Sequence, residues 1–268
     1  MKNTLFLIVL IASLSFCLPS NQLKDNALRE DYSLAMAVLY NQYSAEYKAL
    51  TIQAYNIAET RLINIADTAR DISRLAVIVD IDETVLDNSP YQARTIVENF
   101  SYPEGWNEWC NEAKADPVPG ALNFLRHADS LGFKIFYVSN RKKDDVFEGT
   151  LNNLVKEGFP QADGESILLR LAVSKDNPDP SNKDARRDII RQKGYNIVLL
   201  AGDNLGDFYK DSGYGHLRDR KVMDRANDFG SMYIILPNAM YGNWPYSIGI
   251  NGSTAKTMSL LREMTKRY

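Results

Sequence analysis

The chain is short of cysteine, of surplus charge and of long apolar runs, and each shortage removes a class of protein. Only two cysteines, Cys17 and Cys110, stand among 268 residues. That is too few for a disulfide-stapled scaffold or a cysteine-rich metal cluster. If the N-terminal segment carrying Cys17 is removed, Cys110 has no partner within the chain, so no internal disulfide is expected. Cys110 then reads as a packed or half-exposed thiol rather than a nucleophile. The net charge of −3 gives no electrostatic reason to expect a nucleic-acid polymer or an anionic membrane as partner. Neither a basic arm nor a basic patch interleaved with aromatics occurs. Beyond the N-terminus no stretch reaches the length needed to span a bilayer. Internal repeats and low-complexity segments are also missing, which excludes solenoids and disordered linkers.

What remains is an ordinary globular composition, 45% hydrophobic and 24% charged, long enough for one large domain or two small ones. The N-terminus reads as a targeting segment. Lys2 precedes an apolar run from Leu5 to Leu14, interrupted only by Ser13. That run is too short to cross a bilayer and fits the apolar region of a signal peptide. Residues 1–20 are therefore expected to be a signal peptide cut near residues 17–20. Cys17 stands where a lipoprotein precursor would be cut and acylated, although Phe16 occupies a place usually given to Gly, Ala or Ser. The expected destination is outside the cytoplasm, in the cell envelope or secreted. Contact with a membrane is expected only through a lipid anchor at Cys17.

From Ala27 to about Arg70, apolar and polar residues mix at helical spacing without Pro or Gly, which predicts one long helix or two in series. Strands are predicted from Leu75, over 133–139, over 166–173, over 197–202 and over 232–236. An irregular helical stretch at 91–115 and helices near 121–131, 144–156, 183–193 and 253–267 complete the pattern. Strands alternating with helices imply an α/β fold with a parallel sheet and right-handed crossovers.

Three of these strands end in chemistry. Val77 to Asp87 (VIVDIDETVLD) is a buried strand delivering Asp80 and Asp82 at its carboxyl end. The second, FKIFYVSN, ends in Ser139 and Asn140, and the fourth, IVLLAGD, runs into Asp203-Asn204-Leu205-Gly206-Asp207. Lys183, in Ser181-Asn182-Lys183, falls between them and opens a helix. Open α/β sheets bind ligands at the carboxyl ends of their strands. Paired acids there suit a divalent metal and phosphoryl chemistry, whereas an acidic turn on the surface would be the bland alternative.

The motifs DxDET, SN, K and GDNxxD, in this order, resemble those of the haloacid dehalogenase superfamily. The segments DIDETVLDNSPY, VSNR, SNKDARR, VLLAGDNLGDF and LPNAMYGNW resemble more narrowly the class C acid phosphatases, the lipoprotein e family of nucleotidases. The resemblance runs from about Leu34 to Trp244. It implies a Rossmann-like parallel sheet flanked by helices, with a smaller, mainly helical cap. Residues 21–70 would contribute to that cap, and residues 71–268 would form the catalytic domain with a helical insert at about 91–116.

On this reading Asp80 attacks phosphorus and carries an aspartyl-phosphate. A cation is needed to bring two anions together, and Mg²⁺ suits the hard oxygen donors. Asp80 and Asp203 would ligate it through carboxylates, and Asp82, by resemblance, through its backbone carbonyl. Asp207 would sit in the outer shell, orienting water or the ligands. Asp82 looks like the general acid and base, and Glu83 and Thr84 support the loop. Ser139, Asn140 and Lys183 would bind the phosphoryl oxygens. Arg186 and Arg187 are expected on the helix surface. In the family, the positions matching Trp106 and Tyr241 line the substrate pocket. A flat aromatic pair holds a base or aryl ring without reading its edges.

The expected activity is Mg²⁺-dependent hydrolysis of small phosphomonoesters, nucleoside monophosphates above all. A phosphotransferase of the same superfamily, or a surface protein binding haem or nucleotides on this fold, remain alternatives. The sequence does not fix the oligomeric state, and a dimer is compatible with it.

Overall fold

The computed structural model describes residues 20–173, 179, 181–209, 215–250 and 254–266. The expected signal segment with Cys17, and most of the Pro-containing turn at 176–182, lie outside them.

Two helices open the described chain, α1 (Ser20–Tyr43) and α2 (Ala45–Ala66). Ser44 breaks them apart. Its backbone is extended, and its hydroxyl accepts from the Tyr47 amide at 3.0 Å, capping α2. The continuous 27–70 pattern is thus two helices in series.

Five strands follow: β1 (Leu75–Val79), β2 (Lys134–Lys142), β3 (Ile167–Arg170), β4 (Asn196–Gly202) and β5 (Tyr233–Ile235). They pair in parallel in the order β3-β2-β1-β4-β5. The fold is α/β, as the alternation predicted. The chain winds outward from β1 to β3 and then returns to the other side of β1 with β4. The strand order therefore reverses between β1 and β4, where open sheets place their ligands.

The remaining helices are α3 (Ser89–Glu98), α4 (Trp106–Glu112), α5 (Ala121–Ser130), α6 (Lys143–Glu157), α7 (Asp184–Gln192), α8 (His216–Asp224), α9 (Trp244–Ser247) and α10 (Thr254–Thr265). The stretch predicted at 91–115 is two short helices, α3 and α4. The sequence pattern did not foresee α8 and α9.

Both faces of the sheet are covered, which explains why its strands read as continuous apolar runs. On one face Val77, Val79, Ile135, Tyr137, Leu169, Leu199 and Ala201 pack with Tyr55, Ala58 and Leu62 of α2 and with Phe124, Leu125 and Ala128 of α5. On the other, Ala76, Ile78, Phe136, Val138 and Leu200 meet Ile190 of α7 and Phe208. Positions 121, 124, 125 and 128 are the buried stripe of α5, the spacing of a helix with one apolar face.

Helix α2 does more than cover the sheet. Tyr55 stacks on Phe124 and donates its hydroxyl to the Thr84 carbonyl at 2.5 Å, in the loop that follows β1. Gly120 lets this ring approach, since a Cβ there would lie 3.0 Å from it. Similarly, Ser89 of α3 donates to Gln42 of α1 at 2.5 Å. Two strand boundaries differ from expectation by three residues, the others by one or none. β3 stops at Arg170 rather than 173, and β2 runs on to Lys142 rather than ending at 139. Ser139, Asn140 and Arg141 are therefore part of the strand itself. No described helix is long and apolar enough to cross a membrane.

Candidate active site

Asp80 directly follows β1, and its amide donates to the Ala201 carbonyl of β4 at 2.9 Å. Asp203 directly follows β4, and Asp207 closes the 3-10 turn Leu205–Asp207. One carboxylate oxygen from each of these three lies within 4.8 Å of the others. Local chemistry fixes Asp207. Its carboxylate accepts from the Asn204 amide at 2.9 Å, while the Asn204 side chain accepts from Gly206 at 3.1 Å. Gly202 makes room, since a Cβ there would sit 2.6 Å from the Asp207 carboxyl carbon. Asp203 accepts from the Asn238 amide group at 2.8 Å.

Lys183 reaches this group from the start of α7. Its ammonium bonds Asp80 and lies 2.6 Å from Asp207, with only 6% of its side chain exposed. Two buried anions favour its charged form against the cost of burial and raise its pKa. Three carboxylates and one ammonium leave a deficit of positive charge. The deficit shows in the acids. Burial pushes Asp80 up to about 7, Lys183 opposes this, and Asp207 and Asp82 add to it. Asp203 is raised well above the usual carboxylate range by burial, with Asp207 and Asp80 contributing. A cluster of hard oxygen donors with uncompensated negative charge fits a divalent cation.

The Asp82 side chain is not in this cluster. Its Oδ1 accepts from Arg141 Nε at 2.9 Å and from Asn88 Nδ2 at 2.9 Å, and Arg141 Nη2 lies 2.8 Å from it in an ion pair. Its Oδ2 accepts from Ser139 Oγ at 3.1 Å. Ser139 is fully buried, and its hydroxyl also accepts from the Arg141 amide at 3.1 Å. The hydroxyl expected on phosphate is thus engaged with Asp82. Glu83 is buried and holds the Asn88 amide at 2.8 Å, which matches a role in supporting the loop.

Asn140 is exposed at the end of β2. Arg186 donates to its Oδ1 at 2.6 Å and to the Ser139 carbonyl at 2.7 Å. With Oδ1 taken, the Asn140 amide nitrogen is the group left to donate outward. The expectation for Arg186 and Arg187 fails, because both are buried. Arg187 donates to the Asp207 carbonyl at 2.7 Å and to the Asp184 carboxylate at 2.6 Å. Positions 183, 186 and 187 share one face of α7. That face grips the ends of β1 and β2 and the turn after β4. A run of basic residues at a helix start usually means solvent, and only these tertiary acceptors reverse it.

The aromatics approach from two sides. On the β2 side, Trp106 lies under the Arg141 guanidinium, 5.6 Å from ring centre to Cζ, and packs edge-on against Tyr91 and Tyr102. Trp109 donates to Asn88 Oδ1 at 2.8 Å. On the β5 side, Tyr241 is half-buried in the loop that supplies Asn238, and its hydroxyl has no hydrogen-bond partner among the described residues. Cys110 is buried and free, its thiol pushed up to about 12 mainly by that burial, which suits packing rather than attack.

Sequence reasoning missed Arg141, Asn88 and Asn238. For Arg141 a signal existed, a charged residue directly after Ser-Asn on an apolar strand. Asn88 and Asn238 are ordinary loop residues in sequence and acquire roles only through the fold.

A doubly wound parallel sheet presenting acids from β1 and β4 and a lysine between them is an arrangement suited to binding phosphoryl groups. The particular family follows from comparison. Residues 16–244 match the HAD superfamily, subfamily IIIB (Acid phosphatase), and the chain belongs to that family. It is similar to the class C acid phosphatase from Bacillus anthracis, at 37% identity and a TM-score of 0.75 over 87% of this chain and 96% of that one. The same enzyme with tungstate bound gives 36% identity and a TM-score of 0.76. Among plant relatives, a stem 31 kDa glycoprotein of Glycine max is 32% identical over 201 residues, 72% of this chain. Acid phosphatase 1 of Solanum lycopersicum is 27% identical over 172 residues, 63% of this chain. These matches cover 62% and 64% of the two plant proteins, so the shared region is well under their full length.

Proposed function

We infer that this protein is an exported, Mg²⁺-dependent phosphomonoesterase acting through an aspartyl-phosphate. The observation that carries the reading is the meeting of Asp80, Asp203, Asp207 and Lys183 at the strand-order reversal.

Asp80, rigid at the end of β1, attacks phosphorus in line with the leaving oxygen. The new Asp80–P bond forms as the bond from phosphorus to the leaving oxygen breaks. Asp82 gives that oxygen its proton and releases the alcohol. It then takes a proton from water, which attacks phosphorus and breaks the Asp80–P bond, yielding inorganic phosphate. Lys183 and the outward amide of Asn140 stabilise charge on the transferring group. Mg²⁺, held by Asp80, Asp203 and the Asp82 carbonyl, would screen the repulsion between carboxylate and phosphate. Trp106 and Tyr241 form the wall for an aromatic leaving group, which favours nucleoside monophosphates and aryl phosphates. The tungstate-bound relative supports an oxyanion site in this fold.

Hydrolysis of p-nitrophenyl phosphate with and without EDTA tests the reading. Activity should vanish with EDTA and return with Mg²⁺. Asp80→Asn should lower turnover by at least about three orders of magnitude, the scale for a lost nucleophile. Retention of more than about a tenth of turnover excludes the covalent route. Phosphate transferred to added alcohols in place of water would reassign the protein as a phosphotransferase.

A further inference from the structure

The carboxylate of Asp82 is held asymmetrically. Among the described residues, the groups around Oδ1 are Arg141 Nε and Asn88 Nδ2, which donate to it, and Arg141 Nη2, in ion-pair contact, all nitrogens that can only donate. A proton placed on Oδ1 would face three donors. Among the described residues Oδ2 has one hydrogen-bond partner, the Ser139 hydroxyl, which can donate or accept. The same arginine secures that neighbour too, because its backbone amide bonds Ser139 Oγ.

Resting on the phosphatase reading above, the geometry points to Arg141 as the positioning residue that makes Oδ2 of Asp82 the proton-carrying atom. Arg141 is 2% exposed, and among the described residues its guanidinium bonds Asp82, Thr150 and Asn88 rather than Asp80, Asp203 or Asp207. Its Nη1 donates to Thr150 at 3.1 Å, its Nη2 lies 3.4 Å from Asn88 Oδ1, and its plane rests on Trp106. It acts only through Asp82. A flat guanidinium fork fits this hole, whereas an ammonium supplies a point charge without the same geometry. The ring under it belongs to the residue assigned to the substrate wall, so the wall and the acid share one support.

If Arg141 merely compensates a buried charge, its loss should lower activity equally on every substrate. If it aims the proton, the loss should depend on how much the leaving group needs one. The experiment compares kcat/KM for a series of phosphomonoesters, from p-nitrophenyl phosphate, a good leaving group, to ribose 5-phosphate, a poor one. This parameter ends with leaving-group departure, so the later action of Asp82 as a base does not enter. Arg141→Gln should lose about 100-fold on ribose 5-phosphate and less than about tenfold on p-nitrophenyl phosphate, within the range for general acid catalysis. Arg141→Lys should fall between wild type and Arg141→Gln, and it carries the test alone if Arg141→Gln does not fold. The ratio between substrates is independent of the fraction of folded enzyme. Uniform losses overturn the proposal. So does further steepening when Arg141→Lys is added to Asp82→Asn, since the pair should act as one unit. If Asp82→Asn itself leaves the series unsteepened, the acid assignment fails and this inference falls with it. An inactive wild type would instead remove the phosphatase reading.

Discussion

The ammonium of Lys183 lies 2.6 Å from the carboxylate of Asp207, and both side chains are buried. The same ammonium bonds Asp80, so one cation ties the end of β1 to the turn after β4. Asp207 was expected in the outer shell, yet its oxygen stands within the same group as those of Asp80 and Asp203. It is therefore placed to orient Lys183 and would stand beside a cation held by Asp80 and Asp203.

Replacing Lys183 with Met should leave buried Asp80 and Asp207, with half-buried Asp203 beside them, without the ammonium that now pairs with the first two. Removing one partner of a buried pair costs about 3–5 kcal/mol. The urea midpoint in EDTA should fall accordingly, and saturating Mg²⁺ should recover part of it. Turnover at saturating Mg²⁺ should still drop about 100-fold, because the phosphoryl oxygens lose a charge that the metal does not replace. Turnover within about threefold of wild type would limit Lys183 to a structural role.

Metal-free protein should respond to pH with a definite sign. Asp80 moves from 3.8 to about 7 on folding, so the folded state binds the proton more tightly than the unfolded chain. Its contribution to stability is full below the unfolded value. It is lost as pH rises toward and through about 7. Asp203 shifts in the same direction. EDTA-treated protein should therefore melt lower at pH 8 than at pH 5 on account of these groups. Added Mg²⁺ should raise the melting temperature more at pH 8, where no proton competes for the carboxylates. At 100 times its Kd a ligand stabilises by about 2.7 kcal/mol. Asp203→Asn should reduce the Mg²⁺ effect, and an unchanged effect would remove Asp203 from the ligand set.

The sheet was legible because each strand is an apolar run closed by polar residues, and burial on both faces enforces that pattern. Asp80, Asp203 and Lys183 were legible because strand ends expose their chemistry at fixed places. The supports were not. Arg186 and Arg187 look solvated in a basic helix, and only the Ser139 and Asp207 carbonyls, 47 and 20 residues away, make their burial tolerable. Arg141 drew no role from the sequence, where the second strand was expected over 133–139 and so to stop before it. Its role depends on Asn88 and Trp106, which arrive from the insert between β1 and α5.

Export rests on residues outside those described, and mass spectrometry of the native N-terminus decides it. The pattern of Lys2 and Leu5 to Leu14 leads us to expect a start near residues 17–20. A diacylglyceryl group on Cys17 would show lipid anchoring despite Phe16. An unmodified start beyond Cys17 would show a soluble exported protein. An intact Met1 would remove the proposal of export.

Trp106 and Tyr241 lie on opposite sides of β1 in the strand order, one under Arg141 of β2 and one in the loop after β5 that supplies Asn238. If they hold the leaving group, truncating either to Ala removes a stacking surface worth about 1–3 kcal/mol per base. The loss should appear in KM for nucleoside monophosphates and aryl phosphates, roughly 5- to 150-fold, because the ring lies away from phosphorus. A small aliphatic phosphate has no ring to stack and should change little. The two aromatics should nevertheless differ. Trp106→Ala also exposes the Arg141 guanidinium from below, so it should lower kcat along with raising KM. Tyr241 has no described bond to the acid, and its loss should stay in KM. Circular dichroism controls for folding. Equal losses on aromatic and aliphatic substrates would return both residues to a packing role.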